Sequence, residues 1–199
     1  MKSLISLRNC LLALTLLALS ACASPPVGPA AQPDAQKIES LARAIVALGP
    51  EIDPEEARRA ARVAVEYPRR LMVEYQITDP PLRHNMKVNA GLKPRGLCWH
   101  WARDLGARME QEDFQSLDIL HAIANYKVPF RIEHSSIIIA ARGDDIYDGL
   151  VLDPWRYGGT LYYGPTLQDE LYPWRPRAEV FAEKRRDKGE DLGEPVTGF

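Results

Sequence analysis

Two apolar, β-branched runs separated by a turn constrain this chain more than any other feature. Residues 130–141 (FRIEHSSIIIAA) and 146–152 read as strands, and Gly143-Asp144 between them is a turn signal. An antiparallel pair of this kind needs helices to cover it, and the preceding sequence supplies them. Ile38, Leu41, Ala42, Ile45 and Leu48 fall at helical spacing between a capping Asp34 and the stop at Gly49-Pro50. A second helix begins at Asp53 as N-cap with Pro54 in its first position, and Glu56 completes a capping-box pattern. Ala57, Ala60, Ala61, Ala64, Tyr67, Leu71 and Tyr75 form its apolar face, and Pro68 predicts a kink. Residues 78–96 are turn-rich. From Cys98 the pattern is helical again, with Trp101, Ala102, Leu105 and Met109 on one side, and 117–126 reads as a further short helix. Tyr157, Tyr162, Tyr163, Tyr172 and Trp174, spaced by Gly and Pro, predict short strands and loops. The fold class is α+β, with N-terminal helices and the Cys98 helix packed on an antiparallel sheet. The domain spans 36–180, and 181–199 is a charged tail expected to stay disordered.

The N-terminus reads as a leader. Lys2 and Arg8 flank an apolar run at 11–19 that is long enough for a secretory signal and too short to cross a bilayer. Leu19-Ser20-Ala21-Cys22 follows and resembles the lipobox of bacterial lipoproteins. That resemblance implies that 1–21 is a signal peptide. It also implies that Cys22 takes a diacylglycerol thioether and acyl chains such as palmitate, which hold the mature protein on a membrane. Residue 23 is Ala rather than the Asp linked to inner-membrane retention, so the expected location is the outer membrane of a cell envelope, facing the periplasm. An ordinary secretory signal with an unrelated cysteine is the alternative. Residues 22–35, rich in Pro and Ala, form a tether. Loss of Lys2 and Arg8 with the leader takes the 25 basic residues to 23 against 27 acidic ones, a net charge of −4 that offers no footprint for nucleic acid.

Three cysteines become one free thiol. Cys10 leaves with the leader and Cys22 becomes a thioether, so Cys98 has no disulfide partner in an oxidising compartment and is either inert or kept for reactivity. A nucleophilic thiol needs a setting that favours thiolate, a base, and a group that orients the base. Cys98 stands where loop becomes helix, and the free N–H groups there favour an anion. His134 lies near the start of the first strand and Asp153 at the end of the second. With Gly143-Asp144 as a two-residue loop, positions 134 and 153 face each other across the hairpin, within reach of a hydrogen bond. A longer loop from Arg142 to Gly149 would slip that register.

Gly96-Leu97-Cys98 with Trp101-Ala102, then Glu133-His134, then Leu152-Asp153-Pro154-Trp155, resemble the transglutaminase-like cysteine enzymes of the papain-like fold. The resemblance implies Cys98 as nucleophile, His134 as general base and Asp153 as the orienting group. It departs from the family in a short Cys98-to-His134 spacing and in Ser135-Ser136 after the histidine. The activity implied is thiol acyl transfer on amide bonds of envelope proteins or wall peptides, with hydrolysis favoured over transamidation.

Alternatives stand beside this. A retired member of the family would bind a protein or cell-wall partner through its aromatic groove. His134 alone reads more readily as a structural histidine than as a catalyst, and Asp153-Pro154 alone as a common turn starter. Cys98, His100, His134 and Asp153 lack the paired spacing of a structural zinc site, and no metal or cofactor is expected. His100 reads as structural or groove-lining. Asn85 and Asn89 lie upstream of the thiol as possible assistants.

Overall fold

A computed structural model of the chain describes residues 34–190. The leader, Cys22, most of the tether and the last residues of the tail lie outside the described residues. Within them the element order is α1 (Asp34–Val46), α2 (Pro54–Glu74), α3 (Pro81–Asn89), α4 (Cys98–Glu110), β1 (Leu117–Ala124), β2 (His134–Ala141), β3 (Leu150–Tyr157), β4 (Thr160–Pro165), β5 (Arg175–Pro176) and α5 (Arg177–Asp187). The five strands form one antiparallel sheet ordered β4-β3-β2-β1-β5, so the architecture is α+β. No helix among the described residues is long and apolar enough to cross a membrane.

The central strand explains the unbroken apolar run that marks it. Ile137 and Ile139 face the main core with α1, the alanine face of α2, and Leu105 and Met109 of α4. Ile138 faces the opposite way, into a second cluster with Ala122, Val151 and Trp174. A strand covered on both faces has no polar side to alternate with. Gly106 lets α4 sit close against the sheet, because a Cβ there would lie 2.7 Å from the His121 ring.

Several expectations are corrected. The segment 117–126 is not a helix. Leu117–Ala124 is strand β1, paired with β2 along its whole length from Leu117 opposite Ala141 to Ala124 opposite His134. Its apolar residues satisfy either period, and the free edge of β2 decides between them. Residues 81–89 form α3, opened by Pro80-Pro81 and closed by Gly91 with a φ of 71°. Helix α2 runs unbroken through Pro68. Helix α5 extends to Asp187, held by Lys184 to Glu133 at 2.7 Å and by Lys127 to Glu183 at 2.8 Å, so the charged tail is ordered at least that far.

The capping box is also not made. Asp53 caps α2 by accepting from the Glu55 N–H at 2.7 Å. The Glu56 carboxylate instead crosses to the start of β1, accepting from the N–H groups of Gln115 and Ser116 at 2.8 Å each and from the Ser116 hydroxyl at 2.6 Å. Burial alone would raise this carboxyl; the three donors more than reverse that and hold it below its usual value.

Candidate active site

The loop before α4 is locked by four contacts. Gly96 has a φ of 125°, in the region open chiefly to glycine, and a Cβ on it would lie 2.5 Å from His84 Nε2. Its N–H donates to His100 Nδ1 at 3.1 Å, and the Leu97 N–H donates to the same nitrogen at 3.2 Å. Its carbonyl accepts from the Trp101 indole at 3.1 Å, and His84 Nε2 donates to the Arg95 carbonyl at 2.8 Å. His100 is therefore a neutral acceptor that ties helix to loop. Its burial, with Arg95 and Arg103 nearby, lowers it to about 4. Among the described residues no group of three or more His, Cys, Asp and Glu side chains is placed to hold a metal ion.

This lock delivers Cys98 as the first residue of α4, with Leu97 as N-cap. N–H groups in the first turn have no intrahelical acceptor, so the Cys98 amide is available to an oxyanion. Cys98 is 9% exposed, and its Sγ contacts the Glu133 carbonyl at 3.8 Å, one residue before His134.

His134 opens β2 and is 2% exposed. Its Nε2 donates to Asp153 Oδ2 at 2.7 Å, which leaves Nδ1 as the nitrogen available to sulfur. Nδ1 is buried with no conventional partner. Burial by itself lowers the imidazolium, but the Asp153 carboxylate and the neighbouring Cys98 sulfur outweigh it and push His134 up to about 9. Three aromatic rings wall the imidazole, with centroids of Tyr172 at 4.5 Å, Trp155 at 4.7 Å and Trp174 at 5.3 Å. The Trp155 indole donates to Asn85 Oδ1 at 3.1 Å, so α3 braces one of those walls.

Cys98, His134 and Asp153 thus come together, by a different register from the expected one. Ile137 pairs with Leu152, Ile138 with Val151 and Ile139 with Leu150, two residues out from the register of a two-residue loop. The true connection is the longer Arg142-to-Gly149 loop. A slip of two keeps every side chain on its face, so His134 and Asp153 remain on one side of the sheet as diagonal rather than direct neighbours. Asp153 also lies mid-strand rather than at a strand end. Strand β3 continues through Pro154 to Tyr157, where its pairing with β4 is irregular, as a proline in a strand requires.

Sequence reasoning missed the carboxylate's other partners. Asp153 is fully buried, and Arg156 Nε donates to its Oδ2 at 3.2 Å while the Arg156 N–H donates to Oδ1 at 3.2 Å. Arg156 Nη2 in turn meets Asp169 Oδ2 at 2.6 Å, and that oxygen accepts from the Trp174 indole at 2.9 Å. The guanidinium lies over the Tyr162 ring at 3.6 Å. Burial raises the Asp153 carboxyl, and His134 with Arg156 more than reverses this, keeping it ionised. Position 156, three residues after the aspartate, was the one available signal, and an arginine after Asp-Pro-Trp is not distinctive.

No protein-family model, curated protein or solved structure matches the chain.

Proposed function

We propose that this chain is a membrane-anchored, transglutaminase-like cysteine enzyme of the papain-like fold that hydrolyses amide bonds by thiol acyl transfer. The observation that carries the reading is the His134 Nε2–Asp153 Oδ2 bond of 2.7 Å beside a thiol at a helix start. The ionised Asp153 fixes the tautomer and orientation of His134. His134 Nδ1 takes the Cys98 proton, and the thiolate adds to the amide carbonyl, whose oxyanion is received by the Cys98 N–H. The imidazolium then protonates the departing amine as the C–N bond breaks, leaving a thioester. Water gives its proton to His134 and displaces the sulfur, releasing a carboxylic acid. The aromatic walls keep competing water from the imidazole. Anchored through Cys22 on the periplasmic face of the outer membrane, the enzyme would meet envelope proteins or wall peptides.

The 9% exposure of Cys98 favours a second reading, an envelope lipoprotein that binds a protein or cell-wall partner through its aromatic groove without turnover. Iodoacetamide labelling separates the two. The enzyme reading expects fast labelling of Cys98 at neutral pH that falls at least about tenfold in His134→Ala. Slow labelling unchanged by that substitution overturns it.

A further inference from the structure

The face of α3 that turns away from the active site exposes large apolar side chains. Inward, His84 is buried against Gly96 and Asn85 holds Trp155. Outward, Leu82 and Met86, four residues apart and so on one helix face, are 56% and 71% exposed. The helix ends in a Schellman turn, with Leu92 N–H to the Lys87 carbonyl at 2.8 Å and Gly91 N–H to the Val88 carbonyl at 3.0 Å. That turn brings Leu92 back toward the Met86 end of the helix, yet Leu92 stays 72% exposed instead of finding the inward apolar contact usual at its position.

Charge follows the same segment. In a chain of net charge −2, residues 79–104 carry five basic side chains against Asp79 and Asp104. Lys87 is paired with Asp79, and Arg95 and Arg103 with Asp104. Arg83 and Lys93 form no ion pair among the described residues, and each directly follows one of the exposed leucines, Leu82 and Leu92, in sequence.

We infer that this face, Leu82, Met86 and Leu92 with Arg83 and Lys93, docks on an anionic lipid surface. Exposed apolar side chains bordered by unpaired cations suit the headgroup–acyl boundary, where the apolar groups bury and the cations meet phosphate. The inference is independent of the thiol chemistry and of any acyl chain on Cys22. It would set the Cys98 loop within about one helix diameter, ~10 Å, of the membrane plane.

Met86 itself reports the contact. The full-length chain is reconstituted on vesicles of phosphatidylcholine alone or with added phosphatidylglycerol, and dilute peroxide oxidises its methionines under mass-spectrometric detection. Whatever hold residues 1–33 have on lipid, Lys2 and Arg8 included, is the same in Arg83→Glu/Lys93→Glu, so that variant isolates the α3 face. Met109 is fully buried and serves as the internal reference. Oxidation of Met86 is expected to slow at least about fivefold on the anionic vesicles only, and to recover in high salt and in Arg83→Glu/Lys93→Glu. Equal rates on both vesicles, or protection that survives high salt, overturn the inference. Should the double variant fail to fold, Leu82→Ser/Leu92→Ser takes its place, with the same loss of Met86 protection expected and unchanged protection overturning the inference.

Discussion

His134 and Arg156 share one carboxylate oxygen: Asp153 Oδ2 accepts from the imidazole Nε2 at 2.7 Å and from the guanidinium Nε at 3.2 Å. Asp153 is therefore held from two sides in a fully buried position, and loss of either donor leaves the buried carboxylate only partly compensated. Arg156 repeats the arrangement toward Asp169, so the imidazole, two carboxylates and one guanidinium form a continuous buried chain.

Removal of Arg156 tests that chain. Arg156→Met leaves Asp169 and half of Asp153 without a counter-charge, a loss on the order of 3 kcal/mol in unfolding free energy. Chemical denaturation of the variant is the check. The double variant Arg156→Met/Asp169→Leu should recover part of the loss, because it removes the second orphaned charge. A single variant as stable as the unaltered chain would refute the pairing.

Stability should depend on pH through His134. Its folded value, about 9, lies above the ordinary histidine value of 6.5, so the protonated ring favours the folded state. That contribution is fully present below pH 6.5 and is lost as pH rises through about 9. Its size is on the order of 3 kcal/mol. Melting curves between pH 6 and 10 should fall more steeply for the unaltered protein than for His134→Gln. Parallel curves would contradict the assignment.

Asp153→Asn should retain the shape of the site and lose the charge that selects the His134 tautomer. On the proposed function, amide hydrolysis, or alkylation of Cys98 in its place, is expected to fall by at least about a hundredfold. Near-normal rates would remove Asp153 from the mechanism.

Gly96→Ala should displace the loop before Cys98, since its Cβ would lie 2.5 Å from His84 Nε2 at a φ of 125°. Clash and backbone strain together cost on the order of 3 kcal/mol. Adding His84→Ala relieves the clash but not the strain, so the melting temperature should recover only in part. Full recovery would show that the dihedral is not a constraint.

Glu56→Gln tests the tie between α2 and β1. The substitution keeps the volume but removes a charge that accepts three hydrogen bonds, which costs about 2 kcal/mol. The Glu56 value is depressed, so its contribution is present above the ordinary glutamate range and fades as pH falls through the lower folded value. Denaturation at pH 7 and pH 3 should therefore show a smaller difference between variant and parent at the lower pH.

Local chemistry determined much of this protein in the sequence. The alanine face of α2, the Asp53-Pro54 start, the loop-to-helix change at Cys98 and the β-branched run of β2 each rest on neighbouring residues, and each stands in the structure. The grouping of Cys98, His134 and Asp153 was also legible, because a slip of two in a strand register leaves the faces unchanged. Tertiary structure alone decided the rest. Residues 117–124 became a strand because β2 offered an edge to pair with. Glu56 left its own helix end for the backbone of β1, and Arg156 and Asp169 were brought to His134 and Asp153 by the sheet and the loop beyond it. Propensity and spacing report on a few residues at a time. The partner of a buried charge, or of an unpaired strand edge, is set by whichever distant donor the completed fold brings within about 3 Å.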